Sequence, residues 1–185
     1  MISQLTAQFT RLPQIDFGWE KLKKKYLKFK MNSFEPKVKF SFEFKNYTVK
    51  TVDTTAELWE VLKLRYDIFT EKYGVGMNYD IDFNRLDLLG DHIILVHKPN
   101  NKVIGTYRVI CSRFSNEFYS EAEFDIVLLK SSPGVKLELG RACIHSDYRN
   151  GASISLIWRG LSKYMLMVEA DYLFGCTSVH TTDYV

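Results

Sequence analysis

The most informative segment of this chain reads LELGRACIHSDYRNGASISLIWRG and occupies residues 137–160. Its first part has the pattern of a strand that carries Glu138 and Arg141, and its last part has the pattern of a helix. The turn between them supplies Arg149 and Gly151, where the free backbone N–H groups of a new helix can receive a phosphate-bearing group. A strand carboxylate next to such a helix start is the layout of a transferase site.

Hydrophobic patterns on both sides of this segment predict a sheet with helices on its faces. Residues 38–52 favour one strand or a short hairpin, and residues 92–97 and 103–110 favour an antiparallel hairpin. A helix is predicted to start after Thr54, with Glu57 completing its cap. The remaining predictions are an end of that helix at Gly74 and Gly76, a loop or short helix at 80–89, a helix at about 151–169, and strands at 137–145 and 172–179. This order of elements indicates an α/β or α+β fold.

Composition and length bound the class of protein. A chain of 185 residues with 46% hydrophobic content fits one globular domain. It has neither an apolar stretch near the roughly 20 residues that span a bilayer nor a signal-peptide pattern, so we expect a cytoplasmic protein. Cys111, Cys143 and Cys176 are too scattered for a disulfide framework, and no CxxC or HExxH spacing indicates a metal site.

The positive charge of the chain is concentrated at its N-terminus, where residues 1–37 hold eight Lys or Arg and three Asp or Glu. Within this segment, apolar side chains recur at helical spacing, and lysines cover much of the remaining circumference. These apolar residues are Trp19, Leu22, Tyr26 and Phe29. The pattern is typical of a basic amphipathic helix that binds anionic lipid or an acidic protein. The alternative is a solvated cap whose aromatic stripe packs on the domain.

Glu138 is the candidate general base. Leu137 and Leu139 on either side of it predict burial, and a buried carboxylate must be paired, hydrogen-bonded or shifted in pKa. A raised pKa would suit a base that accepts a proton, directly or through water, from an amine attacking a thioester. The alternative is a structural ion pair with Arg141 or Arg108.

The two strand arginines raise separate questions of geometry and charge. Glu138 and Arg141 point to opposite faces of a regular strand, and Gly140 between them is expected to mark a bulge that changes this. Arg108 lies inside a predicted strand, where a cation needs an anionic partner. The nearest acidic cluster in sequence consists of Asp80, Asp82 and Asp87. Its spacing alone favours a solvated loop over an amine-binding site, and the four histidines show no ligand or triad spacing.

Several separated segments together resemble one family. The chain is similar to the ornithine N-acyltransferases of ornithine-lipid biosynthesis, the haemolysin-like branch of the GNAT superfamily, which is related to acyl-homoserine-lactone synthases and N-acyl amino acid synthases. The resemblance covers roughly residues 55–180. It is carried by LRYDIF at 64–69, DID at 80–82, GDHIILV, VIGTYRV, EFDI, ELGRACIHSDYRNG, LIWRGL and YLFGCTSV.

The resemblance implies a GNAT-like mixed, mainly antiparallel central sheet in residues 38–185, preceded by a basic helical extension in residues 1–37. It implies transfer of a long, often 3-hydroxylated, acyl group from acyl carrier protein to the α-amine of an amino acid such as ornithine. The donor is carried on phosphopantetheine, and neither a metal nor a redox cofactor is implied. The acidic carrier protein is an expected partner of the basic N-terminal helix, and peripheral contact with the inner membrane is a second expectation.

The resemblance also assigns roles to individual residues. Glu138 corresponds to the candidate catalytic base. Acceptor binding is assigned to Arg65, Phe69, Asp80, Asp82, Arg108 and Arg141. Acyl-donor binding is assigned to Arg149, Asn150 and Gly151.

Two departures from the superfamily pattern keep other functions open. The usual pyrophosphate loop has two residues between its Arg or Gln and its glycine, whereas here only Asn150 separates Arg149 from Gly151. This difference weakens the interpretation that acetyl-coenzyme A is the donor. The fold normally continues beyond Val179 with a further helix and strands, so the chain is expected to be C-terminally truncated. The alternatives are a lactone synthase that uses S-adenosylmethionine and a non-catalytic module that binds carrier protein or membrane.

Overall fold

The computed structural model describes residues 19–73 and 80–177, and within them six strands form one open sheet in the order in which they occur along the chain. All neighbouring strands pair antiparallel except the last two, which pair parallel. The strands are β1 (Ser41–Phe44), β2 (Tyr47–Thr51), β3 (Asp91–His97), β4 (Lys102–Cys111), β5 (Lys136–Ile144) and β6 (Tyr172–Phe174). The predicted mixed, mainly antiparallel sheet is confirmed.

Helices cover both faces of this sheet, because its central strands are buried on both sides. In β3, Ile93 and Leu95 belong to the core beneath one helix, whereas Ile94 belongs to the core beneath another. The helices are α1 (Trp19–Met31), α2 (Thr55–Tyr73), α3 (Val127–Ser131) and α4 (Gly151–Met167). Here α2 packs on the Ile94 face, and α4 packs on the opposite face.

Local sequence explains where α2 begins. The hydroxyl of Thr54 accepts a hydrogen bond from the backbone N–H of Glu57 at 3.2 Å. The Glu57 carboxylate in turn accepts from the N–H of Asp53 at 2.9 Å. These bonds satisfy backbone donors that a helix start leaves open, so the predicted cap is confirmed. The predicted end at Gly74 and Gly76 lies outside the described residues.

The other element predictions hold with adjusted bounds. Residues 38–52 form the hairpin of β1 and β2, and β3 and β4 form the predicted antiparallel hairpin. The loop at 80–89 contains a single 3-10 turn, Arg85–Asp87. Strand β6 ends at Phe174, earlier than predicted, because it pairs with β5 only as far as Glu138.

A bulge interrupts β5 just beyond that point. Arg108 of β4 pairs with Gly140, but Thr106, two residues earlier, pairs with Cys143, so β5 carries one extra residue there. The left-handed residue at the bulge is Arg141, with φ of 54°, rather than the neighbouring glycine. The predicted bulge is confirmed, and it turns the Arg141 side chain toward the α2 face of the sheet, where its contacts lie.

Helix α1 packs against the domain differently from the predicted alternative. Met31 is buried and Leu27 is partly buried, both in the core beneath α2. The predicted stripe residues Leu22, Tyr26 and Phe29 are exposed instead. The prediction that these residues pack on the domain is therefore wrong. The apolar residues that attach α1 to the domain lie on a different side of the helix.

Gly160 allows α4 to approach the sheet closely. A Cβ at this position would lie 2.6 Å from Cγ1 of Val49 and 3.0 Å from Cγ2 of Ile93. We expect Gly160→Val to lower the free energy of unfolding by about 1–3 kcal/mol because of overpacking. Gly151→Ala is the control, since its Cβ would meet nothing within 4 Å. Chemical denaturation measures both, and equal stability of the two variants would contradict the close packing.

Candidate active site

Three charged residues from β4 and β5 meet on the α2 side of the sheet. Arg108 and Glu138 occupy alternating strand positions that point to this side, and the bulge adds Arg141 to them. Arg141 Nε lies 3.6 Å from Asp82 Oδ2, and its guanidinium carbon lies 5.9 Å from the centre of the Phe69 ring. The site is therefore assembled by strand register and one bulge.

A buried ion network underlies this site. Arg65, on α2, donates from Nε to Asp82 at 2.7 Å and from Nη1 to Asp87 at 2.8 Å. Arg108 donates to the same Asp87 oxygen at 3.1 Å and to Asn84 Oδ1 at 3.1 Å. All four charged residues are almost fully buried. The anionic partner predicted for Arg108 is thus Asp87, and the interpretation of Asp82 and Asp87 as a solvated loop is wrong.

The turn that carries Asp87 is fixed by its own hydrogen bonds. Asn84 Oδ1 accepts from the N–H of Leu86 at 2.9 Å, and Asp87 Oδ2 accepts from the N–H of Asn84 at 2.8 Å. These reciprocal bonds form a capping box around the 3-10 turn. Because Asn84 also receives a bond from Arg108, the turn and β4 are held in one arrangement.

The charges in the network determine how its groups titrate. Burial alone would raise the pKa of Asp87, but the charge of Arg65, helped by Arg108, outweighs it and holds that pKa well below its usual range. Burial lowers the pKa of Arg108, against the opposing effect of Asp87. Burial also lowers the pKa of His92 to about 4, so its ring is neutral at pH 7. Its Nε2 donates to the backbone carbonyl of Asp87 at 3.0 Å.

Glu138 is buried, as predicted, but its partners are backbone and hydroxyl donors and not arginines. Its Oε2 accepts from the N–H of Tyr119 at 2.7 Å. Its Oε1 accepts from both the N–H of Ser120 at 2.7 Å and the Ser120 hydroxyl at 2.6 Å. The carboxylate therefore anchors the turn Tyr119–Ala122 and is held in one orientation. Its role as a base stays a prediction.

Arg141 differs from the other two arginines of the site. Its side chain is 26% exposed, and it stacks near the rings of Phe69 and Tyr119, at 5.9 and 5.4 Å. Among the described residues, its Nε has no hydrogen-bond partner, and Asp82 at 3.6 Å is the carboxylate nearest to it. Arg65 and Arg108, in contrast, are buried and hydrogen-bonded. Arg141 is therefore the cation of this network that is open to a further anion.

The predicted acceptor residues are largely brought together. Arg65, Phe69, Asp82, Arg108 and Arg141 all contribute to this region. Asp80 is exposed on the surface, and the buried carboxylate that accompanies Asp82 is Asp87. The sequence placed Asp87 in the acidic cluster nearest to Arg108 but not among the acceptor-binding residues, although the spacing from Asn84 to Asp87 is a capping-box pattern that indicates a fixed turn.

A cleft of about 710 Å³ opens beside the site, between the C-terminal part of α2, the bulged part of β5 and the start of α4. Phe69 and Trp158 give it apolar walls, and Arg149, Asn150 and Gly151 lie at one end. Asn150 caps α4, because its Oδ1 accepts from the N–H of Ser153 at 3.0 Å. The three predicted donor residues therefore lie together at a helix start that faces a cleft.

Part of β5 is without a strand partner, among the described residues, on the edge next to β6. Pairing with β6 stops at Glu138 and Phe174, so the described residues include no strand partner for residues 139–144 on that edge. Such an edge offers backbone N–H and C=O groups to an extended ligand. Cys143 lines the cleft as well, but burial raises the pKa of its thiol to about 12, so it is not a thiolate nucleophile at pH 7.

Residues 19–73 and 80–177 contain no cluster of three or more His, Cys, Asp or Glu that could hold a metal ion. Among the same residues, no helix is both long and apolar enough to cross a membrane.

The fold and the site define a GNAT-type acyltransferase domain. The model of the acetyltransferase (GNAT) domain family matches residues 64–159, which include the C-terminal half of α2, the bulge and the first half of α4. The chain therefore belongs to this family. Among solved structures, the AHL synthase LasI superposes with a TM-score of 0.56 at 19% identity, covering 71% of this chain and 72% of that one.

Curated relatives are more similar in sequence. An L-ornithine N(alpha)-acyltransferase of Rhodobacter capsulatus is 33% identical over 151 residues, which are 75% of this chain and 58% of that protein. A second protein of that name, from Agrobacterium fabrum, is 32% identical over 130 residues, which are 62% of this chain and 44% of that protein. The chain thus spans about half the length of the curated relatives it matches.

Removing the shared carboxylate should destabilise the whole domain. In Asp87→Asn, Arg65 and Arg108 would keep their buried charges but lose a common partner. We expect a loss of about 3–5 kcal/mol in the free energy of unfolding, measured by chemical denaturation. Glu117→Gln is the control, because it removes an exposed ion pair with Arg85 and should change stability little. A similar small effect of both variants would contradict the role of the buried network.

The neutral His92 should make the fold sensitive to moderate acid. Its folded pKa of about 4 lies below the value near 6.5 of an unfolded chain. The contribution of the neutral ring to the free energy of unfolding is therefore fully present above pH 6.5. That contribution is lost as the pH falls toward 4, up to about 3 kcal/mol. The free energy of unfolding, measured by denaturation at several pH values, should therefore fall more steeply between pH 6.5 and 4 for the parent chain than for His92→Gln. Identical pH dependence in the two proteins would contradict a neutral, buried His92.

Proposed function

We propose that the chain catalyses transfer of a fatty acyl group, carried as a thioester on acyl carrier protein, to the α-amine of an amino acid such as ornithine. The similarity to curated L-ornithine N(alpha)-acyltransferases supports the reaction. The single structural observation that carries the proposal is the partly exposed Arg141, which lies 3.6 Å from Asp82 of the ion network and 5.9 Å from the ring of Phe69, a residue that lines the cleft. We further propose a cytoplasmic location, where thiols such as Cys111 and Cys143 stay reduced.

The incompletely paired guanidinium of Arg141 favours an acceptor that carries a carboxylate. Three arginines, Arg65, Arg108 and Arg141, face two carboxylates, those of Asp82 and Asp87. The Glu138 carboxylate is engaged by backbone N–H groups and the Ser120 hydroxyl. With Glu138 the charges balance, but Arg141 Nε has no hydrogen-bond partner among the described residues and lies 3.6 Å from Asp82. A guanidinium can bind a carboxylate through two parallel hydrogen bonds. Arg141 would hold the acceptor carboxylate, and Phe69 and Tyr119 would fix the plane of its guanidinium.

The cleft suits a thioester donor on a phosphopantetheine arm. The N–H groups at the start of α4, near Asn150 and Gly151, would receive the phosphate, and Arg149 would add charge. The unpaired edge of β5 would hold the extended pantetheine by backbone hydrogen bonds. The apolar walls at Phe69 and Trp158 would pack against the acyl chain or the arm.

The reaction proposed at the junction is a direct aminolysis. The deprotonated amine attacks the thioester carbonyl, a C–N bond forms, the C–S bond breaks, and the thiol leaves with a proton. Backbone N–H groups of β5 would stabilise the tetrahedral oxyanion. Glu138, held in one orientation by Tyr119 and Ser120, would accept the amine proton directly or through water.

The function is tested by mass spectrometry of the products. The full chain is incubated with 3-hydroxyacyl carrier protein and a mixture of amino acids that includes ornithine, and in parallel with the matching acyl-coenzyme A. We expect an N-acyl amino acid from the carrier-protein donor. A lactone formed with S-adenosylmethionine, or no product from folded protein that binds the carrier protein, would contradict the proposed reaction.

The base is tested by separating chemistry from anchoring. We expect Glu138→Gln to lower kcat by about 10²-fold or more, because the amide cannot accept the proton. Ser120→Ala is the matched control, since it removes one hydrogen bond to the carboxylate and leaves the carboxylate in place. Rates and thermal unfolding of both variants are measured together. Equal losses of rate and stability in the two variants would reduce Glu138 to an anchor of the turn.

A further inference from the structure

Helix α1 presents an apolar stripe to the solvent. Leu22, Tyr26 and Phe29 are 61%, 56% and 73% exposed. At about 100° per residue, these three positions fall within about 60° of the helix circumference. They form one continuous face, which we call the outer stripe. Large apolar side chains scattered singly over a surface are ordinary, but three in register along one helix indicate a contact surface.

The outer stripe is not needed to attach α1 to the domain. Met31, which is fully buried, and Leu27 belong to the core beneath α2. The Lys28 ammonium lies 5.4 Å from the centre of the Trp59 ring on α2. These contacts lie on the side of the helix away from Leu22, so α1 keeps its place while the outer stripe stays exposed.

Lysines border the outer stripe on both sides. By the same helical rotation, Lys25 lies beside the stripe on one flank and Lys30 on the other, and both are exposed. The sequence of α1 holds six lysines and a single acidic residue, Glu20. An apolar face bordered by lysines matches a surface that has an apolar interior and an anionic boundary.

We propose that the outer stripe of α1 docks into the boundary of an anionic lipid bilayer. Leu22, Tyr26 and Phe29 would enter the acyl boundary, while Lys25 and Lys30 would contact lipid phosphates. The proposal rests on α1 alone and stands whether or not the acyl-transfer proposal does.

The position of α1 favours lipid over the acidic carrier protein. α1 contacts α2 at Trp59, whereas the cleft begins at Ile68 and Phe69. At about 1.5 Å per residue, these points are about 15 Å apart along α2. A bilayer offers its acyl chains to the outer stripe and its anionic phosphates to the lysines at the same time. The outer stripe therefore favours a bilayer as the binding partner of α1.

Vesicle sedimentation of the full chain tests the proposal. The vesicles contain phosphatidylcholine alone, or phosphatidylcholine and phosphatidylglycerol in equal parts. We expect strong sedimentation with the anionic vesicles and weak sedimentation with the neutral ones. The combined variant Leu22→Gln, Tyr26→Gln and Phe29→Gln should lower the partition coefficient by about a hundredfold or more. The combined variant Lys25→Glu and Lys30→Glu should lower it by more than about tenfold, most at low salt.

A matched control separates the outer stripe from general surface hydrophobicity. Leu128→Gln and Leu166→Gln replace side chains that are 87% and 80% exposed elsewhere, and these changes should leave sedimentation unchanged. Circular dichroism confirms that every variant is folded. The proposal is overturned if the parent chain does not sediment with anionic vesicles, or if the stripe variant sediments as the parent does. It is also overturned if the lysines bind immobilised acyl carrier protein and not vesicles.

Discussion

The buried carboxylate of Asp87 is the partner on which the site depends. It receives hydrogen bonds from Arg65 on α2, from Arg108 on β4 and from the backbone of its own turn. Removing this carboxylate would leave the buried charge of Arg108 without the anion that it contacts in a dry environment, where such a charge is costly. One carboxylate thus joins a helix, a strand and a loop, and it fixes the position of α2 relative to β4.

The bulge in β5 links this network to the cleft. Without the extra residue, the Arg141 side chain would point to the α4 side of the sheet. The network would then consist only of buried groups that are already hydrogen-bonded to one another. The same irregularity lies next to the point where β6 departs, at Glu138 and Phe174. A single local departure from strand geometry therefore positions a partly exposed cation close to the point where, among the described residues, the pairing of β5 with β6 ends.

Sequence patterns predicted the parts of this structure that depend on local order. The hairpin of β3 and β4, the cap at Thr54 and the bulge near Gly140 follow from alternation, capping chemistry and glycine placement. The need of Arg108 for an anion also followed from its strand position. Which carboxylate pairs with Arg108 could not be predicted, because the choice of Asp87 over Asp80 depends on how the 80–89 loop folds over α2. The exposure of Leu22, Tyr26 and Phe29 was equally out of reach, since periodicity identifies an apolar face but not what covers it.

The claim that Arg141 binds the acceptor carboxylate is tested most directly by comparing ornithine with its carboxamide in the acylation assay. We expect the kcat/KM of the parent chain to be at least about tenfold higher for ornithine than for its carboxamide, as a charged bidentate pair implies. In Arg141→Met the preference should disappear through a rise in KM for ornithine, with stability unchanged within about 1 kcal/mol, as expected for a partly exposed side chain. If Arg141→Met kept the full preference for the carboxylate, another group would bind the acceptor, and the account would be contradicted.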